Sequence, residues 1–268
     1  MKLYYRETGT GNREVIIVHG LYGASDNWLS VASALSDKYR ILLPDQRNHG
    51  RSAHSEEHNY DLLANDLYEL IKTETKGKVI LIGHSMGGKT VMRLALKHPE
   101  VVEHLVVVDI APKNYGTFSN YAEVTNNHQK ILETLKALKP ETMGSRKEMD
   151  DALKPVFPAK QLRQFLLKNV KRNSNGTYYW QLNIDALINH LPEIMNGFSQ
   201  IDGEKKFNAA PVLFIKGENS PYIKQEDTMS ILRYFPQAQI VNIPNAGHWV
   251  HAEQKDLFLK TLTYFLED

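Results

Sequence analysis

Gly83-His84-Ser85-Met86-Gly87 is the segment of this chain best suited to covalent chemistry. It follows the apolar run KVILI and precedes a helical pattern. A serine there falls on a tight strand-to-helix bend, which small flanking glycines permit. The bend thrusts Oγ out at the carboxyl edge of a sheet. The helix amino terminus behind it favours developing negative charge. A hydroxyl so placed attacks a carbonyl once a base removes its proton and N–H groups hold the oxyanion.

Candidate partners occupy other loops. Gly247-His248-Trp249 follows the last apolar run and precedes the last helix, so His248 opens on the same sheet edge as Ser85. Imidazole accepts and returns a proton near neutrality, which makes His248 the expected base among eleven histidines. After Val15–Val18 comes His19-Gly20-Leu21-Tyr22-Gly23. That turn offers backbone N–H groups without bulk, and Leu21 and Met86 are the expected oxyanion donors. For the acid that orients the imidazole, Asp109 at the end of HLVVVD is the first candidate and Glu218 the second. Ser220 stands where it could hydrogen-bond the acid or the histidine, and Trp28 and Trp249 could wall a pocket.

Other clusters invite weaker readings. In DQRNHGRS, Asp45 and Arg47 look structural, while His49 suits either a pocket wall or a supporting position. His54 and His58 suggest a metal site only superficially; a solvated loop is the expectation. Lys160, Arg163, Lys168, Lys171 and Arg172 flank an apolar helical stripe, as a solvated face or as an attractor for an acidic leaving group. Gly83 to Thr90, GHSMGGKT, also satisfies the phosphate-loop pattern, with Asp109 mimicking a magnesium-binding carboxylate. An NTPase is therefore a rival from another functional class, but it leaves the HG turn, DQRNHGRS and GHW unexplained.

The elements that must carry these residues alternate. Strand-length apolar runs occur at Val15–Val18, Arg40–Pro44, Val79–Ile82, Leu105–Val108, Val212–Ile215 and Gln239–Ile243. Most are continuous, as in parallel strands buried on both faces. Helical spacing appears over Tyr60–Thr73, Thr90–Lys97 and Asp256–Leu266. The expected fold is α/β, a mostly parallel central sheet flanked by helices. The rhythm breaks over 112–208, where three stripes (Ile131 to Leu138, Leu162 to Val170, Ile184 to Leu191) are helical and TYYWQL is a short extended piece. The expectation is a core of 1–111 and 209–268 with a helical cap at 112–208.

The 268 residues are 42% apolar and 24% charged, with a net charge of +1. That balance gives no global pull toward nucleic acid or anionic membrane. There is no cysteine, hence no disulfide, thiolate metal site or cysteine nucleophile. No apolar run nears the ~20 residues of a membrane helix, and no signal peptide is evident. A cytoplasmic protein without metal or cofactor is expected. Nothing in the sequence fixes its oligomeric state.

Taken together, HGLYG with Asn27-Trp28, DQRNHGRS, GHSMGGK, VVDIAP, GENSPYI and GHWVHAE resemble the α/β-hydrolase superfamily, and more narrowly its YbfF-type esterase branch. The resemblance spans both halves of the sheet but is weak in the insertion. It implies an esterase or thioesterase on small acyl substrates, with the acid and the cap after the sixth strand, so that Asp109 is the acid and Ser220 the family's serine. The same scaffold also serves perhydrolases, carbon–carbon hydrolases, lyases and ligand sensors.

Overall fold

Runs of Val, Ile and Leu without polar interruption can be solvated on neither face, so they pair side by side and are covered on both. The computed structural model, which describes residues 1–116, 121–198 and 205–267, has this arrangement. β1 (Tyr5–Thr8), β2 (Arg13–Val18), β3 (Tyr39–Pro44), β4 (Val79–His84) and β5 (Val102–Val108) belong to one sheet. β6 (Val170–Arg172) and β7 (Tyr178–Trp180) form a separate antiparallel pair. β8 (Val212–Gly217) and β9 (Gln239–Ile243) complete the large sheet, in the order β1-β3-β2-β4-β5-β8-β9. Only β1 runs antiparallel to its neighbour.

Strand alternation divides the core between the two faces. Val15, Ile17, Ile80 and Ile82 pack with Val31 and Leu35 of α1 (Leu29–Leu35) and with Phe258 and Leu262 near the carboxyl end. Ile16, Val18 and Leu81 pack with Leu63 and Leu67 of α2 (Tyr60–Glu74) and with Val91 and Leu94 of α3 (Met86–Lys97). All fifteen are nearly or fully buried.

Between Asp109 and Val212 the described residues add no strand to the large sheet. They form α4 (Ala122–Ala137), α5 (Arg146–Leu153), α6 (Lys160–Leu167), α7 (Ile184–Asn189) and α8 (Leu191–Asn196), with the β6–β7 pair between α6 and α7. The segment enters after the fifth strand of this chain rather than a sixth, because five strands precede it. Its third apolar stripe is two short helices, since Pro192 starts α8 and cannot continue α7. Val170, expected on the second stripe, lies on β6. The stretches 117–120 and 199–204, near both ends of the expected insertion, lie outside the described residues. The chain closes with α9 (Thr228–Tyr234), α10 (Val250–Glu253) and α11 (Lys255–Glu267). No described helix is long and apolar enough to cross a membrane.

Candidate active site

Parallel pairing puts the ends of β4, β5, β8 and β9 side by side, and one candidate site residue lies beyond each. Ser85 joins β4 to α3 at φ 54° and ψ −121°, a conformation few residues with a Cβ adopt. The chain is held there by close packing. Ser85 N–H donates to Val108 O at 3.0 Å. A Cβ on Gly87 would come within 2.4 Å of Val18 O and 2.5 Å of His19 O, so only glycine lets α3 seat against the loop after β2.

That loop lies directly against the serine, since a Cβ on Gly20 would sit 3.0 Å from Ser85 Cβ. The backbone N–H groups of Leu21 and Met86 have no acceptor among the described residues. Both belong to residues packed at this bend. The loop is braced from behind by two buried histidines. His19 accepts from Gln46 N–H through Nε2 at 3.0 Å, so its Nδ1–H donates to Gly20 O at 2.8 Å. His49 accepts from Tyr22 N–H at 3.3 Å and donates to Arg47 O at 2.9 Å. His49 is thus a support beneath the loop and does not line the cavity. Asp45 accepts from Ser25 and Arg51 N–H groups, and Arg47 pairs with Asp66, both as structural ties.

Asp109 follows β5 in a left-handed conformation, φ 52°, and is fully buried. Its Oδ2 lies 2.7 Å from His248 Nδ1. Ser220 Oγ donates to the same oxygen, and Gly217 N–H donates to Oδ1 at 3.0 Å. Glu218 is exposed and accepts from Asn245 N–H instead, away from His248. Burial pushes the Asp109 carboxyl up to about 7, opposed by the Ser220 and Gly217 hydrogen bonds. Burial holds the His248 imidazole down at about 3, so the ring is neutral at physiological pH. With Nδ1–H directed at the carboxylate, Nε2 carries the free lone pair.

Ser85 and His248 line the same cavity, of about 470 Å³. Neither Ser85 Oγ nor His248 Nε2 makes a hydrogen bond among the described residues. The walls are largely apolar. Trp28 and Trp249 take part, Trp28 stacked on His251 and Trp249 tilted against Phe165. Val124 and Ile131 of α4 and Leu162 and Phe165 of α6 form the opposite side. Among the polar groups that also face it are Tyr22, His128 and Tyr222. Tyr22 lies in HGLYG and Tyr222 in GENSPYI, whereas His128 carried no signal.

Several expectations are corrected. α3 begins at Met86, so Gly87 to Thr90 are helical and leave no loop to wrap a phosphate. Lys89 is buried and donates to Met195 O at 2.9 Å and Ile194 O at 3.4 Å, while Thr90 Oγ1 donates to Gln46. Both phosphate-loop side chains are thus engaged inside the fold, which removes the NTPase reading. Burial lowers Lys89 to about 7, with Lys113 nearby adding to the effect. His58 is fully buried beside Asn48, not solvated, because Arg47 and Asn48 draw its loop into the core. Arg163 is no surface cation; it pairs with Asp150 and donates to the carbonyls of Phe157 and Pro158. Arg172 donates to Gly176 O, and of the five basic residues only Lys168 lines the cavity. No group of three potential metal-ligating residues occurs among the described residues.

The sequence matches the family model for the alpha/beta hydrolase fold over residues 14–255. Esterase YbfF of Escherichia coli is 33% identical over 257 residues, covering 96% of this chain and 94% of the relative. The sn-1-specific diacylglycerol lipase ABHD11 of Mus musculus is 39% identical over 258 residues, covering 94% and 80%. Among solved structures, a marine microorganism esterase superposes with a TM-score of 0.93 at 43% identity, covering 98% of this chain and 99% of its own. The bend at Ser85, the parallel sheet beneath it and a match across nine-tenths of the chain agree, and the protein belongs to the α/β-hydrolase family, on the YbfF-like branch.

Proposed function

We propose that the chain is a serine hydrolase that cleaves carboxylic esters, acyl thioesters included, through an acyl-Ser85 intermediate. The observation that carries this reading is the 2.7 Å contact between Asp109 and His248 beside the cavity that Ser85 lines. Asp109 fixes the tautomer that leaves Nε2 as acceptor. Ser85 Oγ attacks the carbonyl carbon as His248 Nε2 takes its proton, and the Leu21 and Met86 N–H groups hold the oxyanion. The Ser85–His248 contact closes on substrate binding, as such hydrogen bonds commonly do. The imidazolium then protonates the leaving alcohol or thiol. Water repeats the cycle on the acyl-enzyme, releasing the acid and restoring Ser85. These steps call for no metal or organic cofactor.

We read residues 112–208 as a cap over this edge, because α4 and α6 supply one wall of the cavity. Apolar walls favour an apolar chain on a small-molecule ester. Relatives named esterase or lipase support the same reaction class.

Fluorophosphonate labelling with peptide mapping tests the assignment. The probe should modify Ser85. Ser85→Ala should lose both label and turnover of p-nitrophenyl esters, the latter by on the order of 10⁴-fold. A clean Ser85→Ala preparation that still turns over would overturn the mechanism.

A further inference from the structure

The shortest ring-to-ring contact on His248 comes from a residue with no part in the proton path. Tyr222 stacks on it, centroids 3.8 Å apart and planes at 16°. Tyr222 is also fixed at every polar atom. Its N–H donates to Ser220 Oγ at 3.2 Å, and its carbonyl accepts from Tyr115 at 2.6 Å. Its hydroxyl meets His128 Nε2 at 2.9 Å. His128 lies on α4, and its Nδ1 meets the Tyr22 hydroxyl at 3.2 Å. Neutral imidazole donates from one nitrogen and accepts at the other, and phenol does either, so this chain is satisfied in both tautomers.

A parallel ring at contact distance has two effects on an imidazole. It blocks rotation out of the plane in which Nδ1 meets Asp109, and it keeps water off one face. We infer that Tyr222 is a positioning residue for His248, and that its hydroxyl bond to His128 ties the setting of the histidine to the seating of helix α4 over the site. The inference rests on the reading of His248 as the proton-transfer base.

The groups around His248 set what a variant should do. They are Asp109 beyond β5, His84 at the end of β4, Tyr222 beyond β8, His128 on α4, and His251 and Glu253 on α10. Only Asp109 and Glu253 are acids. Opening the stacked face admits water, which restores the charged form of the ring.

The test uses Tyr222→Leu, Tyr222→Phe, His128→Leu and the Tyr222→Phe/His128→Leu double variant, with active sites counted by fluorophosphonate titration. Tyr222→Leu should lower kcat by about 10- to 100-fold, with KM within about threefold, as expected when a reacting group is held less precisely. The acid limb of its kcat/KM, set in the parent by Asp109 at about 7, should steepen as the imidazole regains its ordinary range, about pH 6.5. Tyr222→Phe retains the stack and should keep the parent profile above pH 6. Tyr222→Phe and His128→Leu remove one shared bond, so the double variant should be no slower than the slower single. Parent kcat and profile in Tyr222→Leu, or multiplicative losses in the double variant, would overturn the inference. If Tyr222→Leu does not fold, the double-variant cycle decides alone. Failure of the probe to label Ser85 in the parent would instead sink the underlying mechanism.

Discussion

Acidification should unfold this protein at an unusually mild pH, and the cause lies in its histidines. Six imidazoles, those of His49, His58, His84, His128, His248 and His251, are held well below their ordinary value, chiefly by burial. In the unfolded chain each titrates near 6.5. The folded state therefore binds fewer protons, so stability is full above pH 6.5 and is lost as pH falls through that value. Between pH 7 and 5.5, an imidazole that stays neutral in the fold and free in the coil costs about 1.2 kcal/mol, or about 7 kcal/mol for the set. Asp109, pushed up to about 7, acts in the opposite sense and offsets roughly 1.6 kcal/mol. A net loss of about 6 kcal/mol rivals the 5–15 kcal/mol of a typical domain. Urea unfolding at pH 7, 6.5, 6 and 5.5 measures it directly. Replacing His58, which lies outside the cavity and has no partner at Nε2, by Leu should remove about 1.2 kcal/mol of that pH dependence, one sixth of the set. A stability at pH 5.5 within about 2 kcal/mol of that at pH 7 would refute the reasoning, since it would require several of these rings to protonate inside the fold.

Asp109→Asn should lower kcat by up to about 10⁴-fold, because an amide favours the wrong imidazole tautomer, whereas Glu218→Gln should stay within about twofold of the parent; steady-state kinetics on a p-nitrophenyl ester separates the two. Because burial holds His248 at about 3 and raises Asp109 to about 7, the acid limb of kcat/KM, corrected for folded fraction, should follow protonation of Asp109 near pH 7 and not that of the base. Parallel rate and circular dichroism titrations check this. Ile131→Trp fills the α4 wall of the cavity and should shift the preferred chain to a shorter one, read as kcat/KM across a series of p-nitrophenyl acyl esters.

Five strands of the large sheet were legible because each is largely buried and carries an apolar run, and β9 was expected from Ile240, Val241 and Ile243, although only Ile243 is buried. β1 was not, because Tyr5–Thr8 lies at the edge, half exposed, with polar residues throughout. The meeting of Ser85, His248 and Asp109 at one edge was legible because each follows a strand, and strand order alone brings such ends together. The sequence could name Glu218 as a second acid but could not show that Asn245 engages it. Burial was the hardest property to read. His58 and Arg163 look like surface residues by type, and only the ties that surround them, to Asn48 and to Asp150, make their burial tolerable. His128 was illegible as a site residue. It lies on a helix whose apolar stripe predicts packing, and its two tyrosine partners are about a hundred residues away on either side.

The same strand spacing explains how an acid beyond β5 serves a histidine beyond β9. Neighbouring strands lie about 4.8 Å apart, so β9 is three intervals, roughly 14 Å, from the strand that carries Ser85. The loop after β9 must therefore fold back across β8. His84 secures it there: its Nε2–H donates to the carbonyl of His248 at 2.8 Å, which ties the loop to the residue next to Ser85. Once the ring is drawn over the middle of the edge, it lies above both β5 and β8. A carboxylate from either could reach Nδ1. In this chain β5 provides the carboxylate, and β8 provides the Gly217 N–H and Ser220 hydroxyl that hold it. Moving the acid to position 220 would keep the same three groups around the ring, so Asp109→Ser combined with Ser220→Asp should recover part of the turnover that Asp109→Ser loses. Recovery no greater than in Asp109→Ser alone would mean that the left-handed backbone at residue 109, not the position of the ring, fixes which strand supplies the acid.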